Sequence, residues 1–294
     1  MGYFLVFYFV LGHYLAMKRV NLLPNLFTAF ALACGLFVIF KMNMTEVGAV
    51  TVNNLIAVTG ILVIAAFADL LDGAIARALK AESDFGGLFD SLADAINFGV
   101  APSVIVLKTL SVEPGSKSSF FITFAAMVYT VCGVLRLIRF NVNKMQAQNN
   151  DELLAAAKKN FTGLPIPAAC GACISANLFI ATLAKDYPSL LTKEMTTGLM
   201  VFVMIILGYL MISRFRFPSL KSLHIKVSSF KIVFFSILAT LLLFFGVSHN
   251  FPLFFFLVTW AYPIVSLTLS LIRKIGGNKT KSLEDFDPAP DEDD

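Results

Sequence analysis

Residues 69–94 read DLLDGAIARALKAESDFGGLFDSLAD, and the positions of the four aspartates Asp69, Asp72, Asp90 and Asp94 decide the fold. Asp69 and Asp72 lie near the end of an apolar run over 52–79, and Asp90 and Asp94 near the start of the next, over 86–109. Within each pair the spacing is three or four residues, so each pair shares one helix face. A short polar connection makes the two helices antiparallel neighbours. In such a hairpin, residues equally far from the turn sit at equal height. Asp69 then stands level with Asp94 and Asp72 with Asp90, because both pairs centre on residues 81–82. At about 1.5 Å per residue they lie about 12–18 Å from the turn.

The rest of the chain says what surrounds that hairpin. Of its 294 residues 57% are hydrophobic and 14% charged, with a mean hydropathy of +0.79. A soluble domain is nearer 45–50% apolar and about 25% charged. Secreted, disordered and nucleic-acid-binding classes are excluded. Apolar stretches fall at 25–42, 52–79, 86–109, 119–142, 163–184, 196–213, 229–248 and 251–272. Each is near the roughly 20 residues that cross a bilayer. The expectation is an all-α integral membrane protein of about eight transmembrane helices, with the lipid bilayer as its first partner and no nucleic acid among the others.

The net charge of +4 reports topology. Eighteen of the 23 Lys and Arg residues fall in one alternating set of loops, with Arg77, Lys80, Arg136 and Arg139 among them, and five in the other. By the positive-inside rule the richer set, including the connection near 80–85, faces the cytoplasm. The expected location is the inner (cytoplasmic) membrane, multi-pass, with the site on the cytoplasmic side. Three segments are expected: a doubtful N-terminal extension over 1–16, with translation read as starting at Met17; a polytopic catalytic domain over 17–275; and a disordered acidic cytoplasmic tail over 276–294. Residues 143–160 read as a polar cytoplasmic loop whose second half forms a short surface helix.

Ionisable groups inside a membrane span are costly and mark function by default. Four converging carboxylates cannot all stay ionised without cations. Their donor atoms are hard oxygens with no neighbouring His or Cys, which favours Mg²⁺ or Mn²⁺ over zinc. Such metals commonly clamp phosphate oxygens. Gly73, Gly86 and Gly87 leave room for a substrate near the backbone, and Arg77, four residues past Gly73, is placed to meet a phosphate. The residues alone leave two other readings open: packing carboxylates paired with Arg77 and Lys80, and a carboxylate-lined ion or proton pathway. Cys170 and Cys173 form a C-x-x-C with no further ligands beside it and read as small packing residues. His13, His224 and His249 lie far from the carboxylates in sequence and are given no catalytic part.

The arrangement Asp69-x₂-Asp72-Gly73-x₂-Ala76-Arg77-x₈-Gly86-x₃-Asp90-x₃-Asp94 resembles the whole signature of the CDP-alcohol phosphatidyltransferase family. That resemblance implies two divalent ions, Mg²⁺ or Mn²⁺, held by Asp69, Asp72, Asp90 and Asp94, and a CDP-linked lipid bound through its diphosphate. It implies Asp94 as the general base on the acceptor hydroxyl, and Asn25, Thr28, Gly73, Arg77 and Gly86 as contacts of the CDP-lipid.

Further motifs resemble the membrane-integral phosphatidylserine synthases of bacteria. They are Leu23-Pro24-Asn25-Leu26-Phe27-Thr28 with Cys34-Gly35; Phe98-Gly99-Val100-Ala101-Pro102; Arg136-Leu-Ile-Arg139-Phe140-Asn141; Phe161-Thr-Gly163-Leu164-Pro165-Ile-Pro167; and Phe217-Pro218-Ser219. The implied reaction is phosphatidyl transfer from CDP-diacylglycerol to the hydroxyl of L-serine, releasing CMP by in-line displacement. Arg136, Arg139 and Asn141 are then candidates for holding serine, an arginine pairing with its carboxylate; membrane anchoring is the other reading of the arginines. The same machinery with glycerol-3-phosphate, inositol phosphate or choline as acceptor is the alternative within the class, and a transporter the alternative outside it. Pro165 and Pro167 read as bending the fifth span. The fifth to eighth spans read as scaffold, with a candidate homodimer contact.

Overall fold

The computed structural model describes residues 24–46, 48–79, 83–147, 160–213, 215–218, 250–268 and 270. Among them, seven helical stretches are long and apolar enough to cross a membrane. The eighth expected span, over 229–248, lies outside the described residues, as do the N-terminal extension, the acidic tail, the surface helix expected within 143–160 and all three histidines. The chain divides into two units, Met1–Ser111 and Val112–Asp294.

The first unit holds α1 (Pro24–Met44), α2 (Val52–Ala78) and a third span, Phe85–Leu110. That span is built from α3 (Asp84–Asp94), a π-helical turn (Ala95–Val100) and α4 (Ala101–Leu110). Thr51 caps α2, its hydroxyl accepting from the Asn54 amide at 3.2 Å. Arg77 stands in the last turn of α2, where a cation complements the helix dipole. Ser83 caps α3 by accepting from the Gly86 amide at 3.1 Å. The π turn has a local cause in Pro102. This proline cannot donate to the carbonyl four residues back, and its ring crowds that carbonyl; a wider turn just upstream lets the helix run on through it.

Packing in this unit inverts the soluble pattern. The buried face of α2 runs through Leu55, Val58, Thr59, Leu62, Ala65 and Ala68, and ends at Asp72. Small residues such as Ala31, Ala65, Ala68 and Ala93 are buried, while Phe30, Phe37, Phe40, Ile64 and Phe67 point outward. Close backbone approach is what holds helices together in lipid, where large apolar side chains gain nothing by turning inward. The stripe that packs α2 is therefore the stripe that carries the carboxylates.

The second unit holds α5 (Lys117–Ala147), a short strand β1 (Asn160–Thr162), α6 (Ile166–Asp186), α7 (Lys193–Ile212), a second strand β2 (Arg216–Pro218) and α8 (Asn250–Thr268). α5 and α7 meet closely at Gly208, where a Cβ would stand 3.5 Å from Cys132 Sγ and from the Tyr129 Cα. α6 is tied to α8 by the Trp260 indole donating to the Ala172 carbonyl at 3.0 Å and by Phe179 stacked on Phe256. β1 pairs antiparallel with β2, Phe161 opposite Phe217, and the chain leaves β1 through Gly163 at φ +79°. Pro165 and Pro167 correct the expectation of a bend. They stand at the N-cap and second position of α6, where the missing N–H costs nothing, so they start the helix. Cys170 and Cys173 are buried on α6 outside any disulfide, in keeping with packing.

Candidate metal centre and active site

The last turns of α2 and the body of α3 bring the aspartates together as their spacing requires. Asp69, Asp72 and Asp90 each offer one carboxylate oxygen, all within 4.8 Å of one another. Asp69 also lies within interaction range of the side chain of Asp94, one turn past Asp90 on α3. Asp72 is buried, and the other three are partly so.

Each carboxylate is held by its own surroundings. The Thr28 hydroxyl on α1 donates to Asp72 Oδ2 at 2.5 Å, and the Gly73 amide also reaches that carboxylate. Asp69 Oδ1 is sealed from solvent with no hydrogen-bond partner among the described residues. A buried carboxylate oxygen turned among other acceptors is satisfied by a cation or a shared proton between them. The ligands are oxygens only, from side chains that helices hold in fixed positions. This donor set fits a hard divalent ion.

Around the carboxylates the expected lipid-binding positions gather in the same unit. A Cβ on Gly86 would stand 3.2 Å from Asn25 Oδ1 and 3.1 Å from Ser83 Oγ, so the bare backbone at residue 86 lets Asn25 of α1 come close to the first turn of α3. The Arg77 guanidinium folds back over Gly73, its Nη1 3.4 Å from where a Cβ would be, and remains exposed. A bare backbone patch with a guanidinium at its edge suits a diphosphate. Thr28 differs from the expectation in one respect: its hydroxyl donates to a metal-site carboxylate, and to the Pro24 carbonyl at 3.2 Å, so its bonds serve the site from behind.

The candidates for serine lie in the other unit, on the later turns of α5. Arg136 is buried, and Arg139 and Asn141 are partly exposed. Arg139 Nη1 donates to the Ile212 carbonyl at the end of α7 at 3.0 Å, and its Nη2 lies 3.0 Å from where a Cβ on Gly163 would stand. One guanidinium thus closes the C-terminal end of α7, where carbonyls lack helical partners. The sequence reading passed over Asn97, which is buried in the π turn three residues past Asp94. The available signal was an amide inside an apolar run directly after the last aspartate.

The family model for CDP-alcohol phosphatidyltransferase matches residues 21–192. A CDP-diacylglycerol–serine O-phosphatidyltransferase of Helicobacter pylori is 30% identical over 221 residues, covering 74% of this chain and 80% of its own. An enzyme of the same name from Bacillus subtilis is 32% identical over 203 residues, 69% of this chain and 93% of that relative. One from Methanocaldococcus jannaschii is 30% identical over 150 residues, 51% of this chain and 58% of its own.

Proposed function

The chain belongs to the CDP-alcohol phosphatidyltransferase family, and from that premise we propose that it is a phosphatidylserine synthase, moving the phosphatidyl group of CDP-diacylglycerol onto the hydroxyl of L-serine and releasing CMP. The observation that carries this reading is the meeting of Asp69, Asp72 and Asp90 within 4.8 Å, with Asp94 alongside, inside membrane-length helices. The names of relatives that match over 80% and 93% of their own lengths supply the acceptor.

The residues divide the work. Asp69, Asp72, Asp90 and Asp94 hold the divalent ions, Mg²⁺ or Mn²⁺. Bound there, such ions offset charge on the phosphoryl oxygens and on departing CMP. Asn25, Gly73, Arg77 and Gly86 receive the CDP moiety of the lipid. Asp94 takes the proton from the serine hydroxyl. The serine oxygen then bonds to the phosphorus that carries the glycerol as the bond from that phosphorus to the CMP oxygen breaks. Arg136, Arg139 and Asn141 are proposed to hold the serine carboxylate, on the strength of two arginines three apart on one helix face. The site opens to the cytoplasm of a cell whose inner membrane holds the protein; the excess of Lys and Arg in the loops on the aspartate-turn side supports this.

The test is an acceptor panel. Purified protein in detergent receives CDP-diacylglycerol and Mn²⁺ or Mg²⁺, and CMP release is read with serine, glycerol-3-phosphate, inositol phosphate, inositol or choline. Turnover with serine alone, lost in Asp94→Asn, supports the reading. Turnover with a different alcohol keeps the aspartate chemistry and removes serine. No CMP with any acceptor, from folded protein, overturns the enzyme reading in favour of transport.

A further inference from the structure

Asn97 is fully buried, at 0% exposure. Neither its Nδ2 nor its Oδ1 has a hydrogen-bond partner among the described residues. Its amide is pressed against Gly35 of α1 so closely that any Cβ there would collide with Oδ1. Gly35 lies seven residues, two helical turns, past Thr28 on one face of α1, and Thr28 is the residue that reaches Asp72. The amide therefore sits beneath the carboxylates, between α1 and the third span. A side chain with a donor and an acceptor both unpaired in an apolar interior works against folding, and an apolar residue of similar size would serve packing better. The π turn that carries it is an element that recurs at functional sites.

We propose that Asn97 is a specificity-determining residue of the acceptor site, taking the head of an α-amino acid. This rests on the phosphatidylserine synthase reading above. An amide offers one acceptor and two donors with no net charge. Oδ1 accepts from the serine ammonium and Nδ2 donates to its carboxylate, so a zwitterion satisfies both. A phosphorylated alcohol needs a cation there, and choline has no N–H to give. The position suits the chemistry. Asn97 lies three residues past Asp94, about 4.5 Å along the axis, and serine carries its head on the carbon next to the hydroxymethyl group. To meet the acceptor the amide turns away from Gly35, while the π turn that accommodates Pro102 stays in place.

The experiment varies serine and CDP-diacylglycerol separately in the CMP-release assay, on wild type, Asn97→Ala, Asn97→Leu and Asn97→Ser, with thermal unfolding of each in detergent. The expected result is a KM for serine raised about tenfold or more in Asn97→Ala and Asn97→Leu, as for loss of a hydrogen bond to a charged partner. Asn97→Ser recovers part of that loss, the KM for CDP-diacylglycerol stays within about twofold, and the melting temperature is unchanged or higher. An unchanged KM for serine in the alanine and leucine variants overturns the proposal, as does a fall in kcat with both KM values together. If the leucine variant fails to fold, the alanine and serine variants decide. A wild type that turns over a different alcohol and not serine defeats the synthase reading itself, and is told apart because no variant is needed to see it.

Discussion

The Thr28 hydroxyl donates to Asp72 Oδ2 at 2.5 Å across 44 residues of sequence, fixing α1 to α2 at the level of the carboxylates. The hydrogen bond holds one oxygen of Asp72 and sets the plane of a carboxylate that faces the cluster. Groups behind a metal ligand that orient it are commonly worth about 10–100-fold in metal affinity. Thr28→Val, which keeps the shape and removes the donor, is expected to weaken Mn²⁺ binding in that range, while Thr28→Ser holds near wild type. Calorimetric titration of Mn²⁺ into the detergent-solubilised protein reads this without turnover. Equal affinities for the valine and serine variants would remove Thr28 from the metal site.

The carboxylate cluster makes a prediction whose sign depends on the metal. With EDTA present, the converging carboxylates must either repel one another or take up protons, and Asp69→Asn removes part of that cost, so its melting temperature should exceed that of wild type. At saturating Mn²⁺ the order should reverse, because wild type gains about 2.7 kcal/mol at a metal concentration of 100 Kd and the variant gains less. EDTA should also stop CMP release, and added Mg²⁺ or Mn²⁺ should restore it. A variant less stable than wild type under both conditions would show a packing role for Asp69 in place of a ligand role.

Gly35 and Asn97 should behave as a coupled pair. A Cβ at residue 35 meets Asn97 Oδ1 head-on, and overpacking of this kind costs about 1–3 kcal/mol. Gly35→Ala is expected to lose that much stability, and the double variant Gly35→Ala with Asn97→Ala to regain most of it. Thermal unfolding of the four proteins of the cycle measures the coupling. Additive losses would mean that the helices move apart at this point instead of pressing on the amide.

The carboxylate hairpin was legible in the sequence because charge inside an apolar run is expensive, so symmetric spacing about a polar turn has few other meanings. The seven spans among the described residues and their rough bounds followed from bilayer length for the same reason. What stayed hidden depends on which helix faces meet. Nothing local to Thr28 says that its hydroxyl ends on Asp72, and nothing local to Gly86 says that Asn25 lies over it. Prolines were visible but their effect was not. Pro102 sits inside a continuous span and is absorbed by the π turn, whereas Pro165 and Pro167 begin a helix that the apolar run appeared to start three residues earlier. Where an apolar run begins is a matter of composition, while where a helix begins is set by the first amide that finds a carbonyl.

Arg139 separates an anchoring role from a serine-binding one. Its Nη1 satisfies the Ile212 carbonyl at the end of α7, and a hydrogen bond from a charged donor contributes about 1.5–3 kcal/mol. Arg139→Ala leaves that carbonyl without its donor and should lower the melting temperature, whatever the acceptor does. Arg139→Lys keeps the charge but not the fork, and should recover only part of the stability. If the arginine also holds the serine carboxylate, both variants raise the KM for serine, and the lysine variant less, since a point charge still attracts a carboxylate. A stability loss with an unchanged KM for serine would assign Arg139 to the helix end alone and leave the carboxylate to Arg136 and Asn141. Arg136→Gln, measured beside it, should then raise the KM for serine with no change in that for CDP-diacylglycerol, and its failure to do so would remove the second arginine as well.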